Sequence, residues 1–346
     1  MNTDEKFMRR CLQLAQNGRN GARPNPMVGA VIVVPWGQGE ARIIGEGYHV
    51  RCGEGHAEVN AFASVRPEDE HLLPEATMYV SLEPCSHYGK TPPCADLIIK
   101  KGVRRVVVGC QDDFSKVQGR GIQKLREAGI CVTVGVLEQE CRWLNRRFFT
   151  FHREHRPYII LKWAQTANGF IDDDGRALKI SSDFTQMLCH KLRSEADAIA
   201  VGRITNDREH PQLNVRHWST YNGQRSMFNV QWPTFNVQCS MFNVQWSMVN
   251  GQWSMARQPR RIVLSHDHPL DLNGLYADNV QSLIVEGGAK TLQSFLDSSL
   301  WDELRIETNL ALTVPKGTPA PLIPPNAKVI GKETYGDNII THYYNM

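Results

Sequence analysis

No run of apolar residues in this 346-residue chain approaches the roughly 18 that a membrane-crossing helix needs, so no span is expected. An excess of one charge is also missing. The 39 basic residues nearly cancel the 36 acidic ones, leaving +3, which implies no strong field for nucleic acid or an anionic membrane. The opening residues MNTDEKFMRRC lack the apolar core of a secretory leader, so a cytoplasmic protein is expected. Nine cysteines, an odd number scattered along a long chain, argue against a disulfide framework and for reduced thiols or metal ligands. What is present is a globular balance of 41% hydrophobic and 22% charged residues, in a chain long enough for two domains.

The first half reads as alternating elements. Phe7, Met8, Cys11, Leu12 and Ala15 recur at helical spacing. MVGAVIVV and ARIIGEGYHV read as two strands of a hairpin around the turn in PWGQGE. HAEVNAFASV reads as a helix, ATMYVSL as a strand, and CADLIIKKG as a helix closed by Gly102. RRVVVGC, GIQKLREAG and CVTVGVLEQ continue as strand, helix and strand. Such alternation predicts a sheet with helices on both faces. A basic, aromatic stretch, CRWLNRRFFTFHREHRP, holds the expected boundary, with one domain over 1–146 and another over 156–346. The second half restarts with RPYIILKWA, a helix around Asp183–Ala196, and strands at ADAIAVG, RRIVLS and QSLIVEGG. A last helix, AKTLQSFLDSSL, opens after a glycine pair, so this is a second α/β unit with ligands expected at strand C-terminal ends. Within 219–257 lies a drifting seven-residue repeat that begins SMFNVQW at Ser226. Its apolar–polar alternation is strand-like and it lacks coiled-coil charges, so it reads as an inserted low-complexity segment or an added hairpin.

One cluster of residue types carries chemistry. His56-Ala57-Glu58 opens a helix, Pro84-Cys85 follows a strand, and Cys94 opens another helix nine positions later. Zinc favours nitrogen and sulfur donors in a tetrahedron, and a catalytic site reserves the fourth position for water. One His and two Cys supply three donors and leave that vacancy. Glu58, a carboxylate that does not bind the metal, would act as the catalytic proton carrier. The arrangement matches the zinc deaminase pattern, H-x-E followed by P-C and a second Cys. His87 or Cys52 as a fourth ligand would instead make the site purely structural.

At these residues the chain resembles the bacterial bifunctional riboflavin-biosynthesis family, a pyrimidine deaminase fused to a reductase. The likeness lies in ARPNPMVGAVIV, HAEVNAF and YVSLEPCSHYGKTPPCADLIIKKGV, then RPYIILKWAQTANG, LRSEADAIAVG and LIVEGGAKTLQSF. The long gap between Cys85 and Cys94 separates it from cytidine and tRNA-adenosine deaminases. The resemblance implies a cytidine-deaminase-like three-layer α/β/α domain followed by a dihydrofolate-reductase-like α/β domain. It implies zinc and NADPH as cofactors, a phosphorylated diaminopyrimidine as substrate, and a homodimer. Zinc ligands would be His56, Cys85 and Cys94, with Glu58 moving protons and Asn25 meeting the pyrimidine. His87 and Lys90 are further contacts for ring or phosphate. NADPH would meet Ala164, Thr205, Glu209, Gly287 and Gly288, and the reductase substrate would meet Arg193, Leu213, Arg216 and Glu286.

The second half departs more from that family than the first. Asn168 stands where the family has Asp, Ala177 and Lys179 where many relatives have Ser and Trp, and Glu209-His210-Pro211 where it has Asp-Asn-Pro. Between RRIVLS and QSLIVEGG only HDHPLDLNGLYADNV remains, at about 266–281. That length makes one crossover but no additional strand. A deaminase with a weakened or inactive reductase domain is therefore the alternative.

Overall fold

A computed structural model of the protein describes residues 2–37, 39–88, 92–113, 119–216, 218 and 258–345. The seven-residue repeat, Lys90 and Cys239 lie outside the described residues.

Helix α1 (Thr3–Gln16) precedes strands β1 (Gly29–Trp36) and β2 (Glu40–Tyr48), which form the expected antiparallel hairpin. Helix α2 (Ala57–Ala63) and a 3-10 helix (Pro67–Glu75) lead to β3 (Thr77–Leu82). Helix α3 (Cys94–Lys101), β4 (Arg105–Cys110), α4 (Arg120–Glu127) and β5 (Cys131–Val134) follow. Gly102 closes α3 at φ +71°, a left-handed position that suits glycine. The sheet order is β2-β1-β3-β4-β5, with β3, β4 and β5 parallel. Ala61, Phe62, Ile98 and Leu125 from α2, α3 and α4 pack on one face. Phe7, Met8 and Cys11 of α1 pack on the other with Cys141, Phe148 and Phe149. This is the expected three-layer arrangement.

The strand expected over CVTVGVLEQ stops at Val134. Gly135 turns the chain at φ +94° and Leu137, at φ +53°, starts helix α5 (Glu138–Leu144). Helix α6 (Arg146–Glu154) then fills the basic, aromatic stretch and leads into β6 (Tyr158–Thr166). Beyond it come α7 (Asp183–Ser194), β7 (Ala198–Gly202), α8 (Arg203–Glu209), β8 (Arg260–Leu264), α9 (Leu272–Ala277) and β9 (Ser282–Val285). Helix α10 (Ala289–Asp297), β10 (Glu303–Asn309), β11 (Ala327–Tyr335) and β12 (Asn338–Asn345) complete the chain.

The second sheet runs β11-β12-β10-β6-β9-β7-β8. Strands β6 to β10 are parallel, and the C-terminal hairpin adds two antiparallel strands. Leu275 of α9 and Leu292, Phe295 and Leu296 of α10 cover one face, against Ile159, Leu161 and Trp163. Leu192 of α7 and Leu213 pack on the other, against Tyr158, Ile160 and Ile199. As the short connection dictates, α9 is the only element described between β8 and β9, and among the described residues β8 stands last in the sheet. No helix among the described residues is long and apolar enough to cross a membrane.

Candidate active sites

In the first half, three donors converge where helices begin. His56 is the N-cap residue of α2, in extended backbone, and Glu58 sits in that helix's first turn, 3% exposed. Cys94 is the first residue of α3, behind Pro93. Cys85, in the loop after β3, turns back onto α3. Its sulfur accepts the Cys94 N–H at 3.3 Å and its carbonyl accepts the Ala95 N–H at 3.1 Å. The His56 Nδ1 lies 3.5 Å from the Cys85 Sγ and 3.3 Å from the Cys94 Sγ. All three donor atoms lie within 4.8 Å of one another. A tetrahedral ion with bonds of about 2.3 Å to sulfur and 2.0–2.1 Å to nitrogen sets N···S at about 3.6 Å, so this donor set fits zinc. Cys52 and His87 are exposed and lie outside the group, which leaves three protein ligands among the described residues.

The two thiols are pushed apart: the Cys85 sulfur and burial raise Cys94 well above an ordinary thiol. The neighbouring Cys94 thiol and the His56 ring hold Cys85 far below an ordinary thiol, and the Cys85 sulfur in turn raises His56. Burial, reinforced by the charge on Cys85, pushes Glu58 up to about 7, where a carboxyl group both takes and gives a proton near neutrality. The Asn25 side-chain N–H donates to the His49 Nε2 at 3.1 Å, and the His49 Nδ1–H donates to the Gly55 carbonyl at 3.2 Å. The His49 and His56 rings meet edge to face at 5.2 Å. Asn25 therefore stands beside the metal pocket through one buried ring.

Two supports escaped the sequence reading. Glu83, 5% exposed, accepts the backbone N–H groups of Gly119 and Gly121 at 2.9 Å and of Asp112 and Ile122 at 3.3 Å. It thereby ties the Pro84-Cys85 turn to the start of α4. A Cβ on Gly121 would fall 1.9 Å from the Pro84 carbonyl, so only glycine permits this approach. Asn145 clamps the 25–28 turn, accepting the Met27 N–H and donating to the Met27 carbonyl, both at 2.8 Å.

In the second half, Arg193 of α7 donates to both oxygens of Glu286, at 2.8 and 2.7 Å, and to the Asn214 carbonyl at 3.3 Å. Burial alone would raise Glu286, but Lys162 and Arg193 outweigh it and hold the carboxylate at about 2. Leu213, buried with φ +53°, and Arg216 lie on the adjoining 212–216 turn. The His190 Nδ1–H donates to the Asn214 carbonyl at 3.0 Å, so this turn packs on α7. Gly288 is the N-cap residue of α10. A Cβ there would lie 2.7 Å from the Thr205 Oγ1, so the glycine pair faces the start of α8. Ala164 lies near the C-terminal end of β6, the side on which Thr205 and Glu286 also follow their strands. Free N–H groups at such a turn suit a cofactor phosphate. Glu209, at the end of α8, pairs with Arg208. Asn168 accepts from Thr166 at 2.8 Å and donates to the Val314 carbonyl at 2.7 Å, so amide replaces acid here within a satisfied turn. Among the described residues, Gln258 bonds the Val215 N–H at 2.8 Å and its carbonyl at 3.2 Å, so positions 215 and 258 meet.

Two family models match separate parts of the chain. Residues 1–110 match the family model for the zinc-binding region of cytidine and deoxycytidylate deaminases, and residues 157–309 match that for the RibD C-terminal domain. Riboflavin biosynthesis protein RibD of Aquifex aeolicus is 36% identical over 312 residues, spanning 87% of this chain and 85% of that protein. The Escherichia coli protein of the same name is 41% identical over 222 residues, which is 64% of this chain and 58% of that one. The crystal structure of a Thermotoga maritima diaminohydroxyphosphoribosylaminopyrimidine deaminase/5-amino-6-(5-phosphoribosylamino)uracil reductase superposes with TM-score 0.77. It is 31% identical, with 99% of each chain covered. The first sheet is thus cytidine-deaminase-like and the second dihydrofolate-reductase-like, and the chain belongs to the bifunctional deaminase–reductase family of riboflavin biosynthesis.

Proposed function

We propose that the first half removes the ring amine of a diaminopyrimidine carrying a phosphoribosylamino arm, and that the second half reduces that arm to ribityl. The observation that carries the first step is the convergence of His56, Cys85 and Cys94 beside the buried carboxyl of Glu58. A zinc ion held by those three residues supplies Lewis acidity that activates water near neutral pH. Glu58 takes a proton from the attacking water and delivers it to the amine as the C–N bond breaks. Ammonia leaves and the ring keeps the oxygen. One Asn25 N–H goes to His49, which orients the amide so that its side-chain oxygen accepts from a pyrimidine N–H.

NADPH supplies hydride to the opened sugar. Gly287, Gly288, Thr205, Ala164 and Glu209 are assigned to its binding. Arg193, Leu213, Arg216 and Glu286 are assigned to the phosphorylated substrate, where guanidinium groups suit phosphate and hydroxyls. The two units are taken as 1–146 and 156–346, working as a homodimer in the cytoplasm. No comparison favours a deaminase standing alone, and the accommodated Asn168 supports a working reductase. Glu58→Gln tests the reading. The zinc-loaded variant should release no ammonia yet still oxidise NADPH when given the deaminated intermediate. Wild-type ammonia release from it would remove Glu58 from the chemistry.

A further inference from the structure

The turn that carries Asn25 is held from the far half of the chain. The Arg23 guanidinium donates to the carbonyls of Ser194, at 3.2 Å, and Glu195, at 2.9 Å, at the end of α7. It also lies 3.5 Å from the Asp197 carboxylate. The last carbonyls of a helix lack intrahelical partners and carry its negative dipole end, so a cation is well placed there. One residue later, the Pro24 carbonyl accepts the Gln281 side-chain N–H at 2.7 Å. Gln281 is itself fixed. It is 5% exposed, its backbone N–H donates to Asp197 at 3.1 Å, and its carbonyl accepts the Tyr158 N–H at 2.9 Å. Both residues before Asn25 are thus anchored on the second half of the chain, Arg23 at the end of α7 and Pro24 on the residue that precedes β9. On the other side the turn is pressed against β2's exit, where a Cβ on Gly21 would fall 2.0 Å from the Val50 carbonyl.

We propose that Arg23 and Gln281 are positioning residues for deamination, so that the reductase half supplies the scaffold for the deaminase's pyrimidine-binding turn. The Gln281–Pro24 bond orients the peptide plane leading into Asn25, and the Arg23 contacts fix that turn's distance from α7. The metal ligands take no part in this link, so its loss changes substrate binding and leaves the metal in place. Helix α7 also carries Arg193, so the same contacts join the two substrate sites through one rigid element. The inference rests on the assignment of Asn25 to the pyrimidine.

The test compares full-length, zinc-loaded Asn25→Ala, Gln281→Ala and the double variant for ammonia release, with zinc content measured for each. Loss of one buried neutral hydrogen bond predicts that Gln281→Ala raises KM about fivefold to tenfold. Its kcat, its zinc content and its reduction of the deaminated intermediate should stay near wild type. Because Gln281 acts through Asn25, the double variant should have the KM of Asn25→Ala alone. An unchanged KM in Gln281→Ala, or a double variant whose loss equals the product of the singles, would overturn the proposal. An unchanged KM in Asn25→Ala would overturn the Asn25 assignment and the proposal with it. A raised KM in that variant alone removes only the proposal.

Discussion

Glu83 offers the sharpest quantitative prediction, because a single atom exchange there strands known partners. Its Oε1 accepts from Gly121 and Ile122, and its Oε2 from Gly119 and Asp112. In Glu83→Gln the shape is kept but one oxygen becomes an NH2 group, which turns donors toward two buried N–H groups. Each stranded group costs about 1–3 kcal/mol, so the variant should lose roughly 2–6 kcal/mol. That is a large part of the 5–15 kcal/mol typical of a folded protein, and at about 2–4 °C per kcal/mol it lowers Tm by on the order of 10 °C. Cys85 lies two residues downstream, so zinc affinity should also fall by about 10–100-fold, as for other partners that orient metal ligands. Thermal unfolding of the zinc-loaded protein and a chelator competition measure the two effects. A variant that melts with the wild type and yields its zinc at the same chelator concentration would refute the cradle's role.

Four further outcomes follow from the same structure. Cys94→Ala should lose zinc and all ammonia release while still reducing the deaminated intermediate, which metal analysis and NADPH absorbance together check. Gly121→Ala, whose Cβ meets the Pro84 carbonyl at 1.9 Å, should lower both Tm and zinc retention, read by the same melting and chelator assays. Glu286 has a folded pKa of about 2 against an ordinary 4.5, so its contribution to stability is complete above pH 4.5 and is lost as pH falls toward 2. Denaturant melts at stepped pH should therefore show the gap between wild type and Glu286→Gln closing across that window. Since Val215 and Gln258 already meet, deletion of residues 219–257 should leave NADPH-dependent turnover at the wild-type level; a collapse of turnover would show that the insertion serves the reductase.

The candidate metal cluster was legible because zinc chemistry demands particular residue types at short spacing, and His56, Cys85 and Cys94 do stand together. Strands β1, β3 and β4 were legible because they are largely buried on both faces and rich in β-branched and apolar residues, as in AVIVV of β1 and VVV of β4. The C-terminal strands were not read. In β10 the buried positions Glu303, Arg305 and Glu307 are charged. Glu303 pairs with Arg146, 157 residues away, and Glu307 accepts from Ser181, Thr185 and Asn338. Charge satisfied by distant partners hides the alternation that marks a strand. Strand β11 is largely exposed and offers no apolar face to recognise. The supports of the site were hidden for the same reason. Glu83 serves N–H groups about 30–40 positions on, and Gln281 reaches Pro24 across 257 residues of chain.

The central claim, that one chain deaminates and then reduces one substrate, is tested most directly by product identification. Zinc-loaded protein is given the phosphorylated diaminopyrimidine with and without NADPH, and the products are identified by mass. The account predicts the deaminated ribosyl compound without NADPH and the deaminated ribityl compound with it. Recovery of unchanged diaminopyrimidine in both reactions would contradict the account at its first step. A ribosyl product that persists with NADPH would contradict it at the second.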